Sequence, residues 1–597
     1  MLLPYPKVIS RRGSAVTGAI SVERNLGIPM RDGVVLSGDL YRPSASGRYP
    51  TLLQRTPYNK NASGGISQAY ALRAAEAGYA VIVQDVRGRF NSGGEFRAFE
   101  QEQPDGFDTC AWICEQPWSN GRIGTFGGSY VGLTQWQAVL AGAPGLQAIA
   151  PVVTASDYHN GWTYQGGAFN LYFNYSWTTA GLALETAGRR LAADSEQTGQ
   201  RELISRIDHM DTALAETPLD HDRVLLDHAA YYQDWLDHPD LDDYWDHLNV
   251  AGKYESITIP SLNIGGWHDI FLGGTLANYI GISRRGKTAQ ARHGSRLIVG
   301  PWSHQSYSYG TPIGDYWPGV LSASDAIDAV GQQLRFFDRW LRDIEPNAVT
   351  DAPVSIFVMG DNVWREEETW PIERAEVVEL FLGSGGRANT AAGDGKLSRD
   401  IPGGDQTTPD NFLSDPRNPV PTAGGQLCCH MHWSPSGVYD QREIEARSDV
   451  LVYTTEPFAE RTEITGPVSV ILYAASSARD CDWTAKLVDV CPCGCARNIT
   501  DGIIRARYRN SMRTPSLLTP GQVERYDIDL WSTSIALPAG HSLRLEIASS
   551  NFPRFDRNLQ TGGLQATTSL AESVVAHQTV LHDREHPSRL IVQVVPN

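Results

Sequence analysis

The chain has no apolar run near the roughly 18 residues that a membrane-spanning helix needs, and runs such as "YAVIV" are of strand length. No membrane association is expected. The first residues, "MLLPYPKVISRRGSAV", lack the continuous apolar core of a signal peptide, because Pro4, Pro6 and Lys7 interrupt it, so no export is expected either. Positive charge is in deficit: 50 Lys and Arg face 68 Asp and Glu, a formal net charge of -18. With no cluster of basic residues, the chain has nothing to neutralise a phosphate backbone, and a nucleic-acid partner is excluded.

Cysteine is sparse as well, eight in 597 residues, which is not the dense framework of a small secreted domain. The simpler reading is a reduced, cytoplasmic protein. Cys110 and Cys114, four apart in "DTCAWICEQ", share one helical face beside Trp112 and Ile113 and read as packing. The strings "CCHMH" (Cys428 to His432) and "CPCGC" (Cys491 to Cys495) hold good ligand types for zinc but lack the paired C-x-x-C spacing of a structural site. No metal or other cofactor is assigned, and whether these cysteines bind metal or form disulfides stays open.

What is present is an ordinary globular composition, 41% hydrophobic with 57 Gly and 34 Pro, in a chain long enough for about two to four domains. Eight strand candidates alternate with helix-like segments: "AISVERNLG", "VVLSGDLYRP", "TLLQRTPY", "AVIVQDVRG", "RIGTFGG", "QAIAPVV", "SLNIGGWHD" and "RLIVGPWSH". Several are apolar throughout, as expected of α/β strands covered on both faces. An aromatic-rich helical stretch interrupts them between Asp157 and Tyr254; inserted between two strands, it lands at one end of the sheet and reads as a cap over the site. From Ala352 onward, short alternating runs such as "VSIFVMG", "VSVILYAASS" and "SLRLEIASS" indicate a β-sandwich or jelly roll. The expected division is 1–155 with 256–350 as the catalytic domain, 156–255 as the cap, and 351–597 as the β domain.

The stretch "GTFGGSYVG" (124–132) almost spells the nucleophile elbow G-x-S-x-G, with its last glycine one residue late. A strand candidate precedes Ser129 and a helix-like sequence follows it, which is the setting an elbow requires. Gly127 would permit the strained turn, and the backbone N–H of Tyr130 would face a developing oxyanion. That stretch carries neither the G-x-G-x-x-G of a dinucleotide site nor the Gly-Lys-Ser/Thr of a phosphate loop. A serine nucleophile needs a base and the base an orienting acid. Asp269 follows the strand of "SLNIGGWHDIF" and His304 the strand of "RLIVGPWSHQS", in the order Ser, Asp, His. Asp157, after "QAIAPVV", is the alternative acid, and His268 is expected to point away from its neighbour Asp269. Tyr58, in the loop "RTPYNK" after "TLLQ", is the candidate second oxyanion donor.

Taken together, "RTPYNK", "VQDVRGRFNSGGEF", "WICEQPWSNGRIGTFGGSYVG", "NIGGWHDIF", "IVGPWSH" and "ARYRNSM" resemble the cocaine esterase group of hydrolases, related to X-prolyl dipeptidyl peptidases and α-amino acid ester hydrolases. The resemblance runs over nearly the whole chain. It implies an α/β-hydrolase domain with an inserted helical cap and a C-terminal β jelly-roll domain. It also implies a Ser129, Asp269, His304 triad, Tyr58 and Tyr130 at the oxyanion, and an acyl pocket of Trp162, Trp177 and Phe271. No cofactor is implied.

The expected activity is that of a serine carboxylesterase acting on a small-molecule ester through an acyl-enzyme. The alternative is an Xaa-Pro dipeptidyl peptidase or amide acylase with the same triad. It would need an anionic subsite, for which Asp242 and Asp243 in the cap are candidates; Ile270, Phe271 and Leu272 after the acid bring no such charge. Trp483 and Trp531 could serve a carbohydrate-binding module, although core packing is the expected role. Assembly into a homo-oligomer is compatible with the sequence.

Overall fold

The apolar runs of the first half form strands because both of their faces are covered. In the computed structural model, which describes residues 19–61, 66–189, 197–308, 312–344, 352–404, 407–429 and 435–596, all eight candidates pair into one sheet. They are β1 (Ile20–Pro29), β2 (Val35–Pro43), β3 (Tyr49–Thr56), β4 (Ala80–Asp85), β5 (Ser119–Gly128) and β6 (Leu146–Val152). After a short hairpin in the insertion, β7 (Tyr164–Gln165) and β8 (Ala168–Phe169), come β9 (Leu262–His268) and β10 (Arg296–Ser303). Every residue of β4 and β9 is buried, the pattern of interior strands in a parallel sheet.

The sheet order is β1-β2-β4-β3-β5-β6-β9-β10, continued by β11 (Val354–Val358) and β12 (Val363–Glu367). Pairing is parallel from β4 through β11 and antiparallel at both edges. Helices α1 (Ile66–Glu76), α2 (Glu102–Glu115) and α3 (Tyr130–Leu140) make the crossovers between successive strands. Parallel pairing brings the carboxyl ends of β5, β9 and β10 to one edge, where α/β proteins hold their ligands.

The run "VSIFVMG", at the expected start of the β domain, supplies β11, whose Val354 pairs with Leu297 of β10. Val354, Ile356 and Phe357 are fully buried with Leu297 and Val299, so it is the apolar surface beyond β10 that captures the segment.

The insertion packs aromatic residues over that same edge. One apolar cluster contains Tyr130 of α3 and Phe271 after β9 together with Trp162, Phe173, Trp177 and Trp235 of the insertion. After β12, strands such as Thr462–Ser476 and Glu524–Leu537 pair antiparallel within a 12-stranded sheet whose core includes Val470, Leu472, Tyr526 and Ile528. Trp483 lies fully buried in that core. Trp531 packs on the helix Leu272–Arg285, where a Cβ at Gly273 would come within 2.8 Å of its Nε1. Trp483 is thus a core packing residue, and Trp531 is half-buried against the helix and the apolar cluster around β10.

Cys110 is buried in an apolar cluster with Ile113, as expected. The expectation of a wholly reduced chain is not met: disulfides join Cys428 to Cys429 and Cys491 to Cys493, while Cys110, Cys114, Cys481 and Cys495 are free. The rest of "CCHMH", residues 430–432, lies outside the described residues, as does the N-terminal stretch 1–18. Among the described residues no helix is long and apolar enough to cross a membrane.

Candidate active site

Ser129 stands between β5 and α3 with φ 59° and ψ -126°, a conformation that side-chain-bearing residues rarely adopt. The turn is held from beneath: the Ser129 amide donates to Val152 O at 2.9 Å, and Thr154 Oγ1 donates to Ser129 O at 2.9 Å. Two glycines make it possible. Gly127 has φ 124°, and a Cβ there would meet Val131 Cγ1 at 2.4 Å; a Cβ at Gly132 would meet Thr154 Cβ at 2.6 Å. The late glycine is therefore where α3 touches the chain leaving β6, while Val131 fills the space under Gly127.

Asp269 follows β9 directly and is fully buried; His304 follows β10 with its side chain 9% exposed. The two approach within 2.7 Å, His304 Nδ1 to Asp269 Oδ1. A carboxylate can only accept, so Nδ1 carries the proton and Nε2 presents its lone pair on the far side of the ring. The alternative acid has other work: Asp157 Oδ1 accepts from the amides of His159 (2.9 Å) and Asn160 (2.8 Å), capping its own turn. His268 is buried with neither ring nitrogen partnered among the described residues, and burial pushes its pKa down to about 4. It is a neutral ring turned into the core.

Tyr58 lies beyond β3. Trp177 Nε1–H donates to its hydroxyl oxygen at 3.0 Å, and the nearby Ser129 side chain, like Trp177, works against the effect of burial on the phenol's pKa. A phenol that accepts from an indole keeps its own proton to give. Burial raises its pKa to about 12, so the donor persists at any ordinary pH. The Tyr130 backbone N–H opens α3, whose first amides have no intrahelical acceptor. The Tyr130 phenol donates to Glu102 Oε1 (2.9 Å) and accepts from the Phe99 amide (2.9 Å), and Glu102 in turn pairs with Arg55 at 2.9 Å. This buried network ties the elbow to α2.

The expected pocket residues meet. Trp162 and Phe271 stack with centroids 4.2 Å apart, Trp162 and Trp177 meet edge to face at 5.4 Å, and Phe271 stands edge-on to His304 at 5.2 Å. Trp177 begins a π-helical turn, Trp177–Ala183, a distortion often found at functional sites.

Several supporting residues are not apparent from the sequence. Arg89, fully buried, donates to Pro57 O (3.0 Å) and Leu182 O (2.8 Å) and pairs with Glu185 (3.0 Å), tying the Tyr58 loop to the cap. Lys60, also fully buried, has its amide on Asp85 Oδ1 (2.7 Å) and its ammonium 3.4 Å from Asp39. Tyr58 is thus clamped on both sides by buried cations. Leu427, Cys428 and Cys429 of the β domain close the aromatic cluster, a long-range contribution no local pattern reveals. Among the described residues two groups could hold a metal: His304 with Cys428 and Cys429, and Cys491 with Cys493 and Cys495.

Residues 32–306 match the family described as X-Pro dipeptidyl-peptidase (S15 family), and residues 347–591 match its C-terminal non-catalytic domain. The chain is 38% identical to a cocaine esterase of Rhodococcus sp. (strain MB1 Bresler) over 97% of this chain and 100% of the relative. Among solved structures, an α-amino acid ester hydrolase superposes with a TM-score of 0.76 at 25% identity, covering 99% of both chains. An aminopeptidase from a marine sediment Thaumarchaeota archaeon gives 0.78 at 23% identity over 99% of both chains, a likeness of fold.

Proposed function

Because the chain belongs to the cocaine esterase-like family of hydrolases, we propose that it is a serine carboxylesterase that works through an acyl-enzyme. Ser129 attacks the ester carbonyl while His304 Nε2 takes its proton, and Asp269 stabilises the imidazolium. The proton then passes to the departing alcohol, and water activated by His304 releases the acid. Tyr58 and the Tyr130 amide hold the oxyanion, together contributing several kcal/mol to transition-state stabilisation. The observation that carries this reading is the 2.7 Å contact from Asp269 to a His304 that stands at the same sheet edge as the Ser129 turn.

The acyl group is assigned to the aromatic wall of Trp162, Trp177 and Phe271, whose ring faces favour a flat aryl acyl group over a branched one. The peptidase alternative has less support. Asp242 accepts from the Tyr244 amide (3.0 Å) and contacts His238 Nδ1 (2.6 Å), and the Asp243 carboxylate is exposed beside Arg513. Neither is available to hold a substrate ammonium in that pocket. A cytoplasmic location and a small-molecule ester as partner complete the proposal.

The test is labelling with a fluorophosphonate followed by peptide mapping, beside a panel of aryl esters and Xaa-Pro arylamides. Label on the Ser129 peptide and turnover of the esters are expected. Label retained in Ser129→Ala, or faster turnover of the arylamides, would overturn the assignment.

A further inference from the structure

Cys428 and Cys429 have no part in ester hydrolysis, yet their Sγ atoms and a ring nitrogen of His304 all lie within 4.8 Å of one another. The two cysteines belong to the β domain and reach the aromatic cluster from outside the catalytic sheet, Cys428 buried and Cys429 half-buried at φ 86°. Since His304 Nδ1 is committed to Asp269, the nitrogen with a lone pair to give is Nε2. We propose that the two sulfurs, together with His304 Nε2, form a thiol-gated site for a soft divalent cation of the cadmium or zinc type, and that its occupation switches the esterase off.

The proposal rests on the reading of His304 as the catalytic base. Around zinc, sulfur ligands stand about 2.3 Å and nitrogen about 2.0–2.1 Å away, so tetrahedral ligand atoms are roughly 3.5 Å apart. The two sulfurs, joined in the disulfide, separate to that spacing once it is reduced, and the His304 ring, a nitrogen of which lies within 4.8 Å of them, turns to bring Nε2 to the metal. Two thiolates and an imidazole are a soft ligand set, which selects such ions over magnesium or calcium. Inhibition follows from the electrons involved: the lone pair that binds the metal is the one that would accept the Ser129 proton.

The gate is the Cys428–Cys429 disulfide. While it is intact, neither sulfur carries thiolate charge and Nε2 stays free for catalysis. A dithiol reductant opens it by exchange: the Cys428–Cys429 bond breaks, two cysteine thiols form, and the reductant's two sulfurs join to each other. The cation then replaces both thiol protons, which are released, and takes Nε2 as third ligand.

The full chain carrying Cys491→Ser, Cys493→Ser and Cys495→Ser removes the other thiol cluster and serves as the reference protein. It is reduced with a dithiol, desalted without oxygen and titrated with cadmium, following thiolate-to-cadmium absorbance and ester hydrolysis together. One cadmium per chain, with at least a tenfold fall in activity that a chelator reverses, is expected; unreduced protein should show neither effect. Adding Cys428→Ser and Cys429→Ser should abolish the absorbance and leave whatever activity remains indifferent to cadmium. His304→Ala should keep the absorbance but bind about tenfold more weakly. The proposal is overturned if the reduced reference protein binds no cadmium, or if the serine pair is inhibited equally. Failure of the underlying reading looks different: metal-free protein would then neither turn over esters nor take fluorophosphonate at Ser129, whatever its cadmium absorbance.

Discussion

The indole of Trp177 in the cap and the phenol of Tyr58 at the end of β3 are hydrogen-bonded at 3.0 Å, Trp177 giving the proton. The proposed oxyanion donor beyond β3 is therefore aimed by a residue of the insertion. Tyr58→Phe should lower kcat by about 100- to 1000-fold with little change in KM, because the donor acts on charge that develops in the transition state. Trp177→Phe should cost kcat about tenfold, since the phenol remains but loses its orientation. Steady-state kinetics on one aryl ester decide both. With the Tyr58 pKa near 12, no alkaline loss of activity below pH 10 should trace to this residue.

Asp269→Asn keeps the shape of the acid and removes its charge. The imidazole is then free to take the wrong tautomer, and kcat should fall by about 10,000-fold while fluorophosphonate labelling of Ser129 slows in parallel. A fall of less than tenfold would mean that Asp269 is not the orienting acid.

Gly132→Ala tests the late glycine. Its Cβ would stand 2.6 Å from Thr154 Cβ, a contact neither backbone can relieve without moving the elbow. A loss of about 1–3 kcal/mol in denaturant unfolding is expected, with slower labelling of Ser129. Unchanged stability would show that α3 is not held as closely to the turn after β6 as this contact requires.

His268 should make the fold acid-sensitive. Its folded pKa of about 4 lies below the ordinary histidine value of 6.5, so the neutral ring is favoured by folding. Its contribution is complete above pH 6.5 and is lost as pH falls toward 4. Between pH 7 and 4.5 this amounts to about 2–3 kcal/mol, and His268→Leu should lose that much less stability over the same interval. Urea unfolding at the two pH values measures the difference.

The residues proposed to carry the chemistry were legible because each of them sits where a strand ends. Ser129, Asp269 and His304 each follow an apolar run whose length and burial announce a parallel strand. The residues that hold them were not, because Arg89, Lys60 and Glu102 act through partners far away in sequence. A five-residue run such as β11 suits either sheet by pattern alone, and only the apolar surface beyond β10 decides where it goes.

The insertion over the site is also bonded on its far side. The Phe169 amide donates to Asp556 (2.8 Å), the Tyr172 amide to Pro553 O (3.1 Å), and the Tyr508 hydroxyl to Asp240 (2.7 Å), so the β domain grips it at several separated points. Fastened along both sides, the roof is held in place over the site, so its walls, rather than the energy of a closing motion, are expected to set which esters reach Ser129. Turnover should then begin without a lag on dissolved substrate, with no need of an oil–water interface to uncover the site.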